Sequence, residues 1–416
     1  MTLLRRGPAL RAVGPGVLAL VIASGFVVTP AAARTNDAPP PRTAAASTTE
    51  HLRGLQYAAL GDSYSAGYSL TPLTGLPVPG CRQADVDFPH LVAADLHLSL
   101  TDASCGGAVT ANLNATPQLT SDGTAPVQNS SLTADTDIVT VTIGGNDLGF
   151  AEIISFCTAL TGNGPVAGNL TLTNCRSSFA LTSDGDLLAA RIINTVEPAV
   201  AAALADITVR APNAKIFVVG YPALFPDAAT TPADGCFTSA LGNGQPPFPE
   251  STFPFTDVDS SYLHSVQTDL DAALARQTEL AGGTFVPTLS KSEAHSACAP
   301  PGEAYIEGIT LIRPLNAASP DPVTPRARPD NSTTLGIEAA PGAMHPNTAG
   351  VAFLADEVIS AILAAFPAPT ETLHASPPPA PTGDNSNLAN WAIIGGLAAL
   401  SGLGVLAMTW RRRSAG

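Results

Sequence analysis

Four short stretches hold the residues with chemistry to offer: Gly61-Asp62-Ser63-Tyr64-Ser65, Gly106-Gly107, Gly144-Gly145-Asn146-Asp147 and His345-Pro346-Asn347. Acyl transfer needs a nucleophile, a base to take its proton, and donors for the developing oxyanion. Ser63 offers the hydroxyl, His345 the base and Asn146 a side-chain amide, while a glycine lets its backbone approach a substrate closely. Each stretch also has a plain reading. Gly-Asp-Ser is ordinary turn composition, Asn146 sits where a strand would end, and His345 precedes a helix that Asn347 or Thr348 would cap. Asp62 and Asp147 read as hydrogen-bonding scaffold. His90, His97, His264 and His295 belong to no motif.

The elements that must position these residues come next. Reactive groups in α/β proteins sit at the carboxyl edge of the sheet, and the four stretches fall at strand ends or helix starts. The apolar run 57–60 predicts a strand ending at Gly61, with a helix opening behind Ser63 whose positive end faces the hydroxyl. Residues 88–96 read as a helix, and 98–103 as a short strand before Cys105-Gly106-Gly107. The run 137–143 is β-branched almost throughout, the mark of a strand buried on both faces of a parallel sheet. A helix over 186–209, disturbed at Pro198, precedes a strand at 215–220. The amphipathic stretch 257–280 (Val258, Tyr262, Val266, Leu270, Leu274) stops at Gly282-Gly283, and 284–286 is a last strand. His345-Pro346-Asn347 opens a closing helix with Val351, Leu354, Val358 and Ile362 on one face. Such alternation implies a parallel sheet with helices on both sides. The Pro-, Gly- and Thr-rich pieces 111–134, 222–256 and 299–343 read as surface loops.

In this order and context the four stretches resemble the SGNH (GDSL-type) hydrolases, with Ser, Gly, Asn and His in the four expected blocks. The likeness runs from 57 to 366, includes Val218-Val219-Gly220-Tyr221-Pro222 and the six cysteines, and is nearest to secreted bacterial lipases and esterases with three disulfides. It implies a three-layer α/β/α sandwich with a mostly parallel, flavodoxin-like sheet and no cofactor. It also implies Ser63 as nucleophile, His345 as base, and an oxyanion hole of the Ser63 N–H, a glycine N–H and the Asn146 amide. Gly106 and Gly107 both fit the second block, and Gly106 is the expected donor. One position departs from the pattern, since Gly342 stands where the family usually has an aspartate three residues before the histidine. Either the Gly342 carbonyl orients His345, giving a Ser–His dyad, or a distant carboxylate such as Asp330 does so.

The ends of the chain read as addresses. Arg5, Arg6 and Arg11, an apolar run and Ala31-Ala32-Ala33 make 1–33 a signal peptide, followed by a flexible leader at 34–50. The hydrolase domain is expected over 51–366, and a Pro-rich stalk over 367–390. Residues 391–410 are apolar over a membrane-spanning length, with Arg411, Arg412 and Arg413 in a cytoplasmic tail at 411–416. Pro379-Ala380-Pro381-Thr382-Gly383-Asp384 before that span resembles a sortase sorting signal with altered first positions, so membrane anchoring and cell-wall attachment both stand. An exported, surface-held monomer is expected. Without Arg5, Arg6, Arg11, Arg411, Arg412 and Arg413 the 19 basic residues fall to 13, against 34 acidic ones. That balance argues against nucleic acid or an anionic membrane surface as partner.

Cys81, Cys105, Cys157, Cys175, Cys236 and Cys298 suit a disulfide-permitting compartment. Six cysteines allow 15 connectivities, and pairing neighbours gives Cys81–Cys105, Cys157–Cys175 and Cys236–Cys298. No Cys-x-x-Cys occurs, so no metal is expected. The expected substrate is an acyl ester, with a carbohydrate acetyl ester or a phospholipid as alternatives. An α/β-hydrolase is disfavoured because no Gly-x-Ser-x-Gly occurs. A non-catalytic surface binding protein has no use for Ser63, Asn146 and His345 together. A flavodoxin-like cofactor binder needs neither His345 nor Asn146.

Overall fold

Alternate residues of the first strand enter different cores, and this sets the layers. Tyr57 and Ala59 face one cluster, Ala58 and Leu60 the other. The computed structural model describes residues 49–180, 185–313, 316–317 and 335–369. Its main sheet contains β1 (Gln56–Gly61), β2 (Ser99–Asp102), β3 (Ile138–Thr142), β4 (Lys215–Val219) and β5 (Thr284–Val286). All neighbours pair in parallel, in the order β2-β1-β3-β4-β5. Tyr57 lies opposite Ile138, and Ile138 opposite Lys215. Every residue of β3 is buried, as its central place between two helical layers requires.

The helices follow as α1 (Phe88–Leu96), α2 (Thr110–Asn114), α3 (Gly145–Leu148), α4 (Phe150–Cys157), α5 (Leu187–Arg210), α6 (Asp257–Leu280) and α7 (Thr348–Ala365). One sheet face is covered by α1 and α7 through Phe88, Val92, Leu96, Val351, Leu354, Val358 and Ile362. The other is covered by α5 and α6 through Val200, Leu204, Ile207, Val266, Leu270 and Leu274. Local chemistry sets the helix starts. Asp87 accepts the His90 N–H, Thr256 accepts the Asp259 N–H, and Asn347 accepts the Gly350 N–H. The disturbance expected at Pro198 is a π-helical turn, Ile192–Val196, immediately before it. The widened turn absorbs a ring that has no N–H to give. Both α5 and α7 are long and apolar enough to cross a membrane, yet each lays a face on the sheet.

The chain passes from β1 outward to β2, then returns to β3 on the other side of β1. Open parallel sheets of this order bind ligands at that switch point, beyond the carboxyl ends of the two strands. Here those ends are Gly61 and Thr142.

Disulfides join neighbours: Cys81–Cys105, Cys157–Cys175 and Cys236–Cys298. The stretches read as surface loops need correction. In 222–256, Phe225, Phe248, Phe253 and Phe255 are buried, and Phe225 and Phe255 meet edge to face with centroids 5.1 Å apart. In 111–134, Gln128 and Asn129 are buried. The signal peptide, the leader up to residue 48, the stalk from 370 onward, the membrane-length segment, the basic tail and Asp330 lie outside the described residues.

Candidate active site

At the end of β1 only glycine fits. Gly61 has φ +132°, and a Cβ there would overlap the Thr142 carbonyl. The buried Gln128 amide clamps this residue, accepting the Gly61 N–H at 2.7 Å and donating to its carbonyl at 2.9 Å. The chain then turns sharply, with Ala66 N–H donating to Asp62 O at 3.0 Å. Ser63 is left at the top of the turn, facing His345.

Ser63 Oγ and His345 Nε2 are 2.8 Å apart. His345 Nδ1 is 2.8 Å from the Ala343 carbonyl. A carbonyl can only accept, so Nδ1 carries the proton and Nε2 is left to accept from the Ser63 hydroxyl. The expected orienter is therefore corrected. It is the Ala343 carbonyl, while the Gly342 carbonyl accepts the His345 backbone N–H at 2.9 Å. The missing aspartate has a steric reason: Gly342 has φ +94°, and a Cβ there would overlap the Ser69 hydroxyl. Two residues on, Met344 is fully buried with φ +57°, a conformation unfavourable for a non-glycine residue. The surrounding chain holds it there. Met344 N–H donates to Glu307 O at 2.8 Å, Glu307 N–H to His345 O at 2.9 Å, and Asn347 Nδ2 to Ala304 O at 2.7 Å. Tyr64 Oη donates to Met344 O at 2.5 Å. The Tyr64 and Tyr68 rings lie 5.0 and 5.2 Å from the imidazole. Burial pushes the His345 pKa below its ordinary value, opposed by the bond to Ala343.

Asn146 stands in α3, at the end of β3. One Nδ2–H donates to Ala108 O at 2.9 Å, which aims the amide and leaves its second N–H without a partner among the described residues. Asp147 is scaffold, accepting from Thr110 N at 3.0 Å and Thr110 Oγ1 at 2.6 Å. Asp62 is scaffold too: it accepts from Tyr64 N–H at 2.9 Å and from Tyr221 Oη at 2.5 Å. Tyr221 Oη in turn accepts the Gly145 N–H at 2.9 Å. One phenol thus joins the turn before Ser63 to the turn before Asn146. Burial raises Asp62 to about 7, against the pull of these hydrogen bonds.

The second block also needs correction. Gly106 N–H already donates to Cys81 O at 2.9 Å, so it is not free for a substrate oxygen. The N–H groups of Ser63 and Gly107 have no partner among the described residues. Gly107 has φ +79°, and a Cβ there would meet only Gln118 Nε2, at 3.8 Å. Both glycines line the cavity.

That cavity has a volume of about 640 Å³ and is lined by Ser63, Asn146 and His345. Leu148, Phe150, Ile153, Leu224, Phe225 and Leu270 give it a large apolar wall. Such a wall suits an apolar ligand group. The motif-free histidines His90, His97, His264 and His295 are not on its lining. Among the described residues, Asp87, His90 and Asp102 have metal-ligating atoms in mutual reach, with His90 Nδ1 donating to Asp87 Oδ1 at 2.7 Å.

Sequence reasoning did not find the Ala343 carbonyl, Gln128, Tyr64 or the clamp at 304–307. Tyr221 was in view within Val218-Val219-Gly220-Tyr221-Pro222, but nothing in that string shows that its hydroxyl spans two blocks.

A family model described as GDSL-like Lipase/Acylhydrolase matches residues 59–353. Lipase 2 of Streptomyces coelicolor is 31% identical over 297 residues, covering 71% of this chain and 91% of that protein. An esterase of Streptomyces scabiei is 30% identical over 256 residues, covering 57% of this chain and 71% of the esterase. The extracellular lipase from Streptomyces rimosus superposes with a TM-score of 0.51 at 20% identity, over 74% of this chain and 99% of that one. Phospholipase A1 from Streptomyces albidoflavus NA297 does so with a TM-score of 0.50 at 19% identity, over 74% and 99%. The two superpositions bear on the fold.

Proposed function

The chain belongs to the GDSL-like lipase/acylhydrolase family and is a carboxylic ester hydrolase, and from that premise we propose that Ser63 and His345 perform its reaction as a dyad. The observation that carries this reading is the 2.8 Å approach of Ser63 Oγ to His345 Nε2, with Nδ1 fixed on the Ala343 carbonyl. Ser63 Oγ attacks the acyl carbonyl while Nε2 takes its proton. The oxyanion then meets the Ser63 N–H, the Gly107 N–H and the free Asn146 N–H. As the tetrahedral intermediate collapses, His345 returns the proton to the leaving alcohol and the acyl group stays on Ser63. Water, deprotonated by the same nitrogen, releases the acid and restores the serine.

An acetyl group would occupy a small part of a 640 Å³ cavity, so acyl chains longer than acetyl are the better fit. The names of the relatives, a lipase and an esterase, agree with an acyl ester as the substrate. The protein is exported, with 1–33 removed, and held at the cell surface through 391–410, either in the membrane or on the wall. The extracellular lipase of Streptomyces rimosus is in keeping with export.

The test is hydrolysis of p-nitrophenyl esters from C2 to C16 by the purified protein and by Ser63→Ala. The expected result is activity that peaks beyond C4 and is lost in the variant. Equal rates in the two proteins would remove Ser63 from the reaction.

A further inference from the structure

Away from the catalytic cavity, two buried acids share one corner of the fold with a single histidine. Asp87 caps α1, His90 stands in the first turn of that helix, and Asp102 ends β2. One ligating atom from each, a ring nitrogen or a carboxylate oxygen, lies within 4.8 Å of the other two. None of the three residues lines the catalytic cavity, and the reaction proposed above makes no use of them.

Each carboxylate is anchored by one oxygen and has the other left over. Asp87 Oδ1 accepts the His90 N–H at 2.9 Å and the His90 Nδ1–H at 2.7 Å. Asp102 Oδ1 accepts the Ser104 N–H at 2.8 Å. Asp87 Oδ2 and Asp102 Oδ2 are buried without a hydrogen-bond donor among the described residues, on side chains 0% and 4% exposed. Asp102 Oδ2 is directed into the cluster, 3.8 Å from His90 Nδ1. Among the described residues, His90 is the one cationic partner of either acid. Two buried carboxylates against one imidazolium leave a negative charge uncompensated, which is costly away from water. Relief takes one of two forms. Either the carboxyl groups, which are near enough to do so, share a proton, or a cation sits between them.

We propose that Asp87, His90 and Asp102 bind a divalent transition-metal ion, with Zn²⁺ the best fit, and that the ion is structural. One imidazole nitrogen and two carboxylate oxygens make a donor set that zinc accepts, with water as the fourth ligand. Ca²⁺ and Mg²⁺ are bound through oxygen. Ligand atoms around a tetrahedral zinc ion lie about 3.4 Å apart, and the separations of 2.7 and 3.8 Å at His90 Nδ1 bracket that figure. The leftover oxygens show no surface to solvent because the acids face one another, and a bare cation takes the place of the proton between them. Its way in is past the imidazole, which is 30% exposed. His90 releases its Nδ1 proton and binds as the Nε2–H imidazole. The lack of Cys-x-x-Cys has no bearing on these donors. The ion would tie together chain on which the catalytic centre is built. Gly67, in the turn behind Ser63, packs so closely that a Cβ there would be 2.7 Å from the Asp87 Cβ. Asp102 leads through Ser104 to Cys105-Gly106-Gly107.

The experiment titrates the whole purified protein with Zn²⁺ at neutral pH, by calorimetry and by thermal unfolding, after treatment with EDTA and without a polyhistidine tag. One ion should bind per chain, and Tm should rise by about 4 °C with Zn²⁺ at about a hundredfold its dissociation constant. His90→Gln and Asp102→Asn should each weaken binding by more than about tenfold. His264→Gln, which breaks the pair that His264 makes with Glu293, should leave binding unchanged. A folded wild type that neither binds Zn²⁺ nor gains Tm from it would overturn the proposal and leave the shared proton to relieve the acids. Binding kept by both His90→Gln and Asp102→Asn, or stabilisation by Ca²⁺ equal to that by Zn²⁺, would overturn it as well. If Asp102→Asn fails to fold, His90→Gln decides, because that side chain reaches the surface. None of these readouts depends on ester hydrolysis, so they judge the metal site whatever the fate of the Ser63–His345 reading.

Discussion

Replacing Tyr221 with phenylalanine removes one oxygen and breaks two contacts. Gly145 is buried, and its N–H has the Tyr221 hydroxyl as its acceptor at 2.9 Å. Leaving such a group unsatisfied costs about 1–3 kcal/mol at any pH. The second loss depends on pH. Burial raises Asp62 to about 7, and the hydrogen bond from Tyr221 is the largest influence opposing it. Without that bond the folded-state pKa rises further, while the unfolded value is unchanged. A carboxyl with a raised folded pKa loses its stabilising contribution as pH climbs from the unfolded value through the folded one. At pH 5 Asp62 is protonated in both folded proteins, and the variant suffers only the Gly145 penalty. By pH 8 the wild type has ionised Asp62 and stopped losing stability, whereas the variant, with its higher folded pKa, goes on losing it. That extra difference approaches about 1.4 kcal/mol, the free energy of the roughly one-unit gap between pH 8 and a pKa of about 7. Urea denaturation with disulfides intact, at pH 5 and pH 8, measures both parts. A loss that is equal at the two pH values, or larger at pH 5, would refute the assignment of Tyr221 as the donor holding Asp62.

The remaining predictions concern the proposed reaction. Because burial lowers the His345 pKa below its ordinary 6.5, the acid limb of kcat/KM should have its midpoint below that value, with full activity kept at neutral pH. A midpoint near 7 or above would instead indicate a carboxylate partner, and in the dyad Asp330→Asn leaves the profile in place. Asn146→Ala should lower kcat by about 10²–10³ with little change in KM. A change of less than threefold in a folded variant would take Asn146 out of the oxyanion site.

Much of the fold could be read from the chain because its signals are local. The β-branched run 137–143 carries the mark of a doubly covered strand, and the cap at Asn347 lies one turn from the apolar face it starts. Ser63 and His345, 282 positions apart, could be brought together on paper because both follow predicted element ends at one edge of one sheet. What stayed hidden depends on which backbone groups other chain segments have already taken. The choice between Gly106 and Gly107 turns on the Cys81 carbonyl consuming one N–H. That Ala343 rather than Gly342 meets Nδ1 was hidden because the buried methionine between Ala343 and His345 is left-handed, which no propensity predicts for that residue. The phenylalanines of 222–256 were misread because Pro and Gly composition marks irregular chain without saying whether it is exposed.

Gly342 ties these points together. A carboxylate there, as the third member of a triad, would stabilise the imidazolium, and its absence makes the proposed dyad look like a weakened triad. The position could not take an aspartate without moving Ser69, and Nδ1 is held instead by the Ala343 carbonyl at 2.8 Å. A carbonyl fixes the tautomer as well as a carboxylate does, but it adds no full negative charge to hold a proton on the ring. Burial of the ring, which packs near Tyr64 and Tyr68, lowers the imidazole pKa, and the bond to Ala343 opposes this only in part. The result is a base that is neutral, and so able to accept, over the whole neutral range, and that gives its proton to the leaving alcohol readily because it holds that proton weakly. In the proposed dyad the expense falls on the first step, where a weaker base must help an unactivated serine, and the three proposed oxyanion donors would offset it.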